Sequence, residues 1–94
     1  MKVQSNTIDV AIQNAINITP FSPALYEICD KVDDKFKTAP ESVFIGTGGR
    51  YYDKKVSFEF DGISYVAEVI VRITSETQQV RNTYTEGYNI YKIA

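Results

Sequence analysis

The chain has 94 residues, 44% of them hydrophobic and 23% charged, with a formal net charge of -2. That is enough for one small core and too little for two. Histidine and tryptophan are absent, there is one cysteine, and charges of both signs are mixed along the length. A His/Cys metal cluster, an internal disulfide and a basic polyanion-binding tail are therefore excluded.

The opening MKVQSNTIDV has no apolar stretch and does not read as a secretory signal. No window approaches the ~20 apolar residues of a membrane span. With Cys29 unable to pair, the expected compartment is the cytoplasm. An abundance of Ile, Asn, Lys and Tyr, whose codons are AT-rich, suits a phage or low-GC bacterial source.

In chain order, residues 7–18 are expected to be a helix. Asn6 or Thr7 supplies a cap, Ile8, Ala11, Ile12, Ala15 and Ile16 share a face, and Pro20 is a stop. A strand is the competing reading, because Ile8, Val10 and Ile12 also alternate. Residues 23–37 predict a second helix with Ser22 as cap and Pro23 in the first turn. Leu25, Ile28, Cys29, Val32 and Phe36 form its apolar stripe. Asp30, Asp33 and Asp34 fall off that stripe and interleave with lysines, which makes them a solvated face rather than a cation site. Glu27–Lys31 and Asp33–Lys37 have i,i+4 spacing.

Strands are expected at about 42–46, 50–60, 63–73 and 87–93. Between the first two lies FIGTGGRYYDKK, residues 44–55. A phosphate-binding loop would need Gly-Lys-Ser/Thr and a following helix. Here a strand follows, so GTGG is a hairpin connection, with a bulge expected near Asp53-Lys54. Asp61-Gly62 between two alternating runs predicts a type I′ turn. Its register sets Phe60 opposite Ile63, Phe58 opposite Tyr65, Val56 opposite Ala67 and Lys55 opposite Glu68. Continued, it sets Tyr52 opposite Val71 and Tyr51 opposite Arg72. Residues 74–87 are polar and long for a loop, with a short helix from Ser75 or an edge strand over 80–84 as alternatives.

The expected fold is one α+β domain over 1–94. Two N-terminal helices pack on an antiparallel four-stranded sheet in two layers. The expected core is Ile12, Leu25, Ile28, Val32, Phe36, Phe58, Phe60, Tyr65, Val69 and Val71. The sheet carries apolar and aromatic residues on both faces, so its second face is covered either by the first helix or by a partner.

Without histidine, a base would have to be Lys, Asp, Glu or Tyr, and Cys29 sits on a buried stripe where a thiol is inert. No catalytic residue, metal or cofactor is nominated. The leading functional expectation is a non-catalytic protein-binding module, such as an accessory or inhibitor protein of the sort phages and mobile elements encode. Its partner is another protein or a second copy in a homodimer. The anchors would be Arg50, Tyr51, Ile70, Arg72, Tyr88 and Tyr91, with SVFI and YNIYKIA as edges open to pairing. The alternative is single-stranded nucleic-acid binding by Arg50, Tyr51, Tyr52, Lys54 and Lys55. A third class is an enzyme without histidine, of unknown substrate.

Overall fold

In a computed structural model the four expected strands form one antiparallel sheet, extended at one edge by a fifth of three residues. The structure describes residues 3–93, and of residues 3–5 the backbone alone, so positions 1, 2 and 94 of the expected domain lie outside the described residues. The elements are β1 (Val3–Ser5), α1 (Ile8–Ile16), α2 (Pro23–Thr38), β2 (Ser42–Gly46), β3 (Gly49–Phe60), β4 (Ile63–Glu76) and β5 (Arg81–Lys92). The strand order is β1-β5-β4-β3-β2.

The 8–16 segment is helical because Ala11, Ile12 and Ile16 recur on one face and are buried there. It ends before Pro20, since Asn17 adopts the left-handed conformation that closes a helix. Pro20 instead shapes the turn to α2. The Ser22 N–H donates to the Thr19 carbonyl at 3.2 Å and Phe21 has φ 65°, the geometry of a type II turn. Glycine usually fills that position, and a side chain there costs about 1–2 kcal/mol. Phe21 is 82% exposed, so burial does not offset the cost. In α2 the Ser22 hydroxyl accepts from the Ala24 N–H, and Leu25, Ile28, Cys29, Val32 and Phe36 point inward as their spacing requires.

The β3–β4 register is the expected one throughout, from Arg50 opposite Ile73 to Phe60 opposite Ile63. Asp61 and Gly62 have φ 54° and 75°, as a type I′ turn demands. The expected bulge at Asp53-Lys54 is absent, because pairing there is continuous. The irregularities fall in β4–β5, between Ile70 and Val71 and between Ile73 and Ser75. The 74–87 segment is neither loop nor helix. It is the far end of the β4–β5 hairpin, turning at Thr77–Val80, where the Thr77 N–H donates to the Val80 carbonyl at 2.7 Å.

Bulges bend and twist a ribbon, and this one brings Arg81 across the helix-covered side of the sheet. Its guanidinium grips the Glu41 carboxylate through both nitrogens at 2.8 and 2.7 Å and lies 5.0 Å from the Tyr52 ring centroid. The Arg81 hydrogen bond holds the Glu41 carboxyl below its ordinary range.

One core joins Ala11, Ile12 and Ile16 of α1, the α2 stripe, and Tyr52, Phe58, Tyr65, Ala67, Val69, Val71, Ile73 and Ile90 of the sheet. Every expected core residue is there, with Phe60 half-buried at its margin. Phe58 stacks on Tyr65 with centroids 5.3 Å apart. Lys54 donates to the Phe36 carbonyl at 2.8 Å, which places an ammonium at the negative end of α2. Lys35 likewise donates to the Ser57 carbonyl. Burial, with Asp9, Asp33 and Asp30 adding to it, pushes the Cys29 thiol up and keeps it protonated.

Candidate partner-binding surface

Strand alternation sends β3 and β4 side chains to opposite sides of the sheet. All the sheet residues in the core belong to one side, and α1 and α2 both pack there. Neither helix covers the other face, so the expectation that α1 could lie on it is overturned. The reason is the order of the chain. α1 follows β1, which pairs beside β5, so α1 packs against β1 and β5 while α2 packs on β3.

The uncovered face can be read from the register. Phe44, Tyr51, Arg72 and Tyr84 form one cross-strand row, and Ser42, Asp53, Ile70 and Gly87 the next. Lys55, Glu68 and Asn89 follow, and then Ser57, Val66 and Tyr91. Phe44 stacks on Tyr51 with centroids 5.5 Å apart and planes 15° from parallel. The Tyr51 hydroxyl donates to the Thr47 carbonyl at 2.7 Å, and Arg72 donates to the Gly48 carbonyl at 2.6 Å. Both side chains are thereby held against the β2–β3 turn, where Gly48 at φ 94° leaves room for them. An aromatic and guanidinium patch results whose rotamers are set before any partner arrives.

The centre of this face is polar. Glu68 is 5% exposed and Asn89 8%, although no helix lies over them. The Asn89 amide donates to Glu68 at 3.0 Å, and the expected Lys55–Glu68 pair stands at 3.8 Å. Asp53 sits beside them. Burial first, then the hydrogen bond a protonated Asp53 donates to Glu68 and the charge of Glu68, raise its carboxyl above the usual Asp value, against the opposing pull of Lys55 and Ser42. An acid whose pKa is higher folded than unfolded binds protons more tightly in the native state. Its contribution to stability is complete below the ordinary value of 3.8 and is lost as the pH rises through the raised one. Asp53→Asn is therefore expected to be more stable than the parent at neutral pH. The difference should close as pH falls towards that ordinary value, in urea titrations of both proteins. A gap that does not vary with pH would remove Asp53 as its source.

Of the six nominated anchors, Tyr51, Ile70, Arg72 and Tyr91 share the uncovered face. Arg50 and Tyr88 do not. Arg50 projects on the helix side and pairs with Glu76 at 3.2 Å. Tyr88 lies against Phe36 with centroids 6.3 Å apart. Sequence reasoning missed Phe44 and Tyr84, which complete the Tyr51–Arg72 row. Counting the register one strand further out would have found Phe44. Tyr84 lay in the segment for which a loop, a short helix and an edge strand over 80–84 were all open. The strand reading is the one that holds, and its pairing to β4 sets the face.

The nucleic-acid set is divided the same way. Tyr51 and Lys55 face outward, Lys54 is bound to the end of α2, and Tyr52 is buried beneath Arg81. YNIYKIA is not an edge, because β5 runs between β4 and β1. A shallow cavity of about 240 Å³ lies between α2 and β3, lined by Ile28, Lys31, Lys35, Phe58 and Glu59. Among the described residues no group of three His, Cys, Asp or Glu side chains is placed to hold a metal. No helix there is long and apolar enough to cross a membrane.

Comparison with known protein families, curated proteins and solved structures finds no match.

Proposed function

We propose that the protein is a non-catalytic binding module that docks on another protein through the uncovered face of its sheet. One observation supports this most: both helices pack on the same side, leaving Phe44, Tyr51, Arg72 and Tyr84 in a row beside Ile70, Val66 and Tyr91. Exposed aromatic and arginine clusters on a rigid sheet have the composition of interface anchors. The biological form proposed is a cytoplasmic accessory or inhibitor protein of a phage or mobile element, acting by occupying its partner's surface. A single buried free thiol suits a reducing compartment. A nucleic-acid strip is disfavoured, because Tyr52 and Lys54 turn away from Tyr51 and Lys55, and the net charge of -2 supplies little phosphate attraction.

The test is a pull-down from lysate of the natural host, with and without nuclease, read by mass spectrometry. Three baits are compared: the parent chain, Tyr51→Ala and Arg72→Ala. The expected result is a stoichiometric protein that survives nuclease and is retained at least about tenfold less by each variant. Equal recovery on all three baits would show that this face is not the docking surface. Recovery that vanishes with nuclease would transfer the role to nucleic acid.

A further inference from the structure

β2 is the edge of the sheet next to β3, and Ser42–Gly46 contains no charged residue, no proline and no break in its pairing. Edges are normally blunted by such devices. Ile45 is 85% exposed, and Val43 and Phe44 are also exposed. Gly46 and Gly49 close the two-residue turn, so they exchange the first hydrogen bonds of the hairpin and Phe44 the next. Val43 and Ile45 then turn their N–H and C=O groups away from β3, to an unpaired side.

We propose that β2 is the seam of a homodimer, in which two copies pair this strand antiparallel about a two-fold axis at Phe44. The segment is its own complement. Under the two-fold, Val43 of each copy lies opposite Ile45 of the other, so outward-facing groups meet outward-facing groups. Phe44 meets its own copy at a non-hydrogen-bonded position, where side chains approach most closely. Each Phe44 already stacks on Tyr51, and the pairing joins the two stacks into one row of rings. No like charges are opposed. A two-fold contact consumes both edges and closes at two copies. At the opposite edge β1 pairs only Tyr88, Asn89 and Ile90 among the described residues. The outer side of β5 that continues it, Arg81–Gly87, carries Arg81 and Glu86 and a register shift against β4, the devices that blunt an edge. The strand is short and buries less than the ~800 Å² per partner of a standard interface, so association depends on concentration. The pairing is independent of the open-face reading and would set two such faces side by side in one continuous sheet.

Sedimentation of the full chain from about 10 µM to about 1 mM tests the proposal over the range of weak interfaces. The expected result is a monomer–dimer equilibrium that Ile45→Lys weakens at least about tenfold, with an unchanged thermal midpoint, and that Ile70→Lys leaves alone. Phe44→Cys should give a disulfide-linked dimer on mild oxidation, because the paired positions approach within disulfide reach. Ile63→Cys, exposed beside the β3–β4 turn, should not. A monomer at every concentration, a dimer that survives Ile45→Lys, or species larger than two would overturn it.

Discussion

Phe58→Ala is expected to lose about 3–5 kcal/mol of folding stability, while Glu59→Ala stays within about 0.5 kcal/mol. The two positions are adjacent in β3 and differ in the side of the sheet they occupy. Phe58 is buried in the core and stacked on Tyr65, so truncation removes its transfer energy, leaves a cavity and strips the stacking partner. Glu59 is exposed and stands opposite Ser64. A domain of this size has about 5–15 kcal/mol in total, so the Phe58 variant should show a much lower urea midpoint. A loss under about 1 kcal/mol at Phe58 would mean that the β3–β4 register is displaced by one residue, since that slip exchanges the two faces.

Val69→Lys and Ile70→Lys should separate more widely still. Val69 is core and lies between Lys54 and Tyr88 across the strands. A lysine there would bring an ammonium into the apolar layer beside an existing one, at a cost of at least about 4 kcal/mol, and the chain should be largely unfolded. Ile70 lies between Asp53 and Gly87 on the uncovered face. A lysine there has water on one side and a carboxylate beside it, so stability should change by no more than about 1 kcal/mol. Circular dichroism and thermal melts of the two variants decide the matter. Equal damage at both positions would show that something in the folded chain covers the second face.

The clearest sequence signals were those in which one local requirement had one solution. Asp61-Gly62 permits the left-handed pair of a type I′ turn, and Phe58, Phe60 and Tyr65 leave one register that keeps them out of water. Ser22-Pro23 and the Leu25-to-Phe36 stripe marked α2 in the same way. The polar end of the long hairpin stayed ambiguous between loop, helix and the edge strand over 80–84 for a reason of dimensions. At 1.5 Å per residue α2 reaches about 24 Å, and at 3.3 Å per residue β4 reaches about 46 Å. The hairpin outruns the helices, so both its faces meet water and no apolar alternation is required of Thr74 to Thr85. Strand pairing and the Arg81–Glu41 grip hold it, and neither leaves a periodic trace in the sequence.

The candidate surface was legible in part. The alternation of β3 and β4 placed Tyr51, Ile70 and Arg72 on the side away from Phe58 and Val69. The same alternation puts Arg50 with Phe58 on the other side, and the β2–β3 register adds Phe44 to the row. The faces of Tyr84 and Tyr88 depended on the β4–β5 pairing with its two register shifts. By itself, then, the sequence determined the two amphipathic layers, the central register and the turn that links it, because each depends on residues close in the chain. Only the tertiary structure decided which face of the sheet was left open. β1, pairing beside β5 more than eighty residues away in the sequence, set α1 over that end of the sheet. Ala11, Ile12 and Ile16 joined the core of the α2 stripe and Ile90, which put both helices on one side. Such a contact depends on the whole chain closing on itself, and no window of sequence contains it.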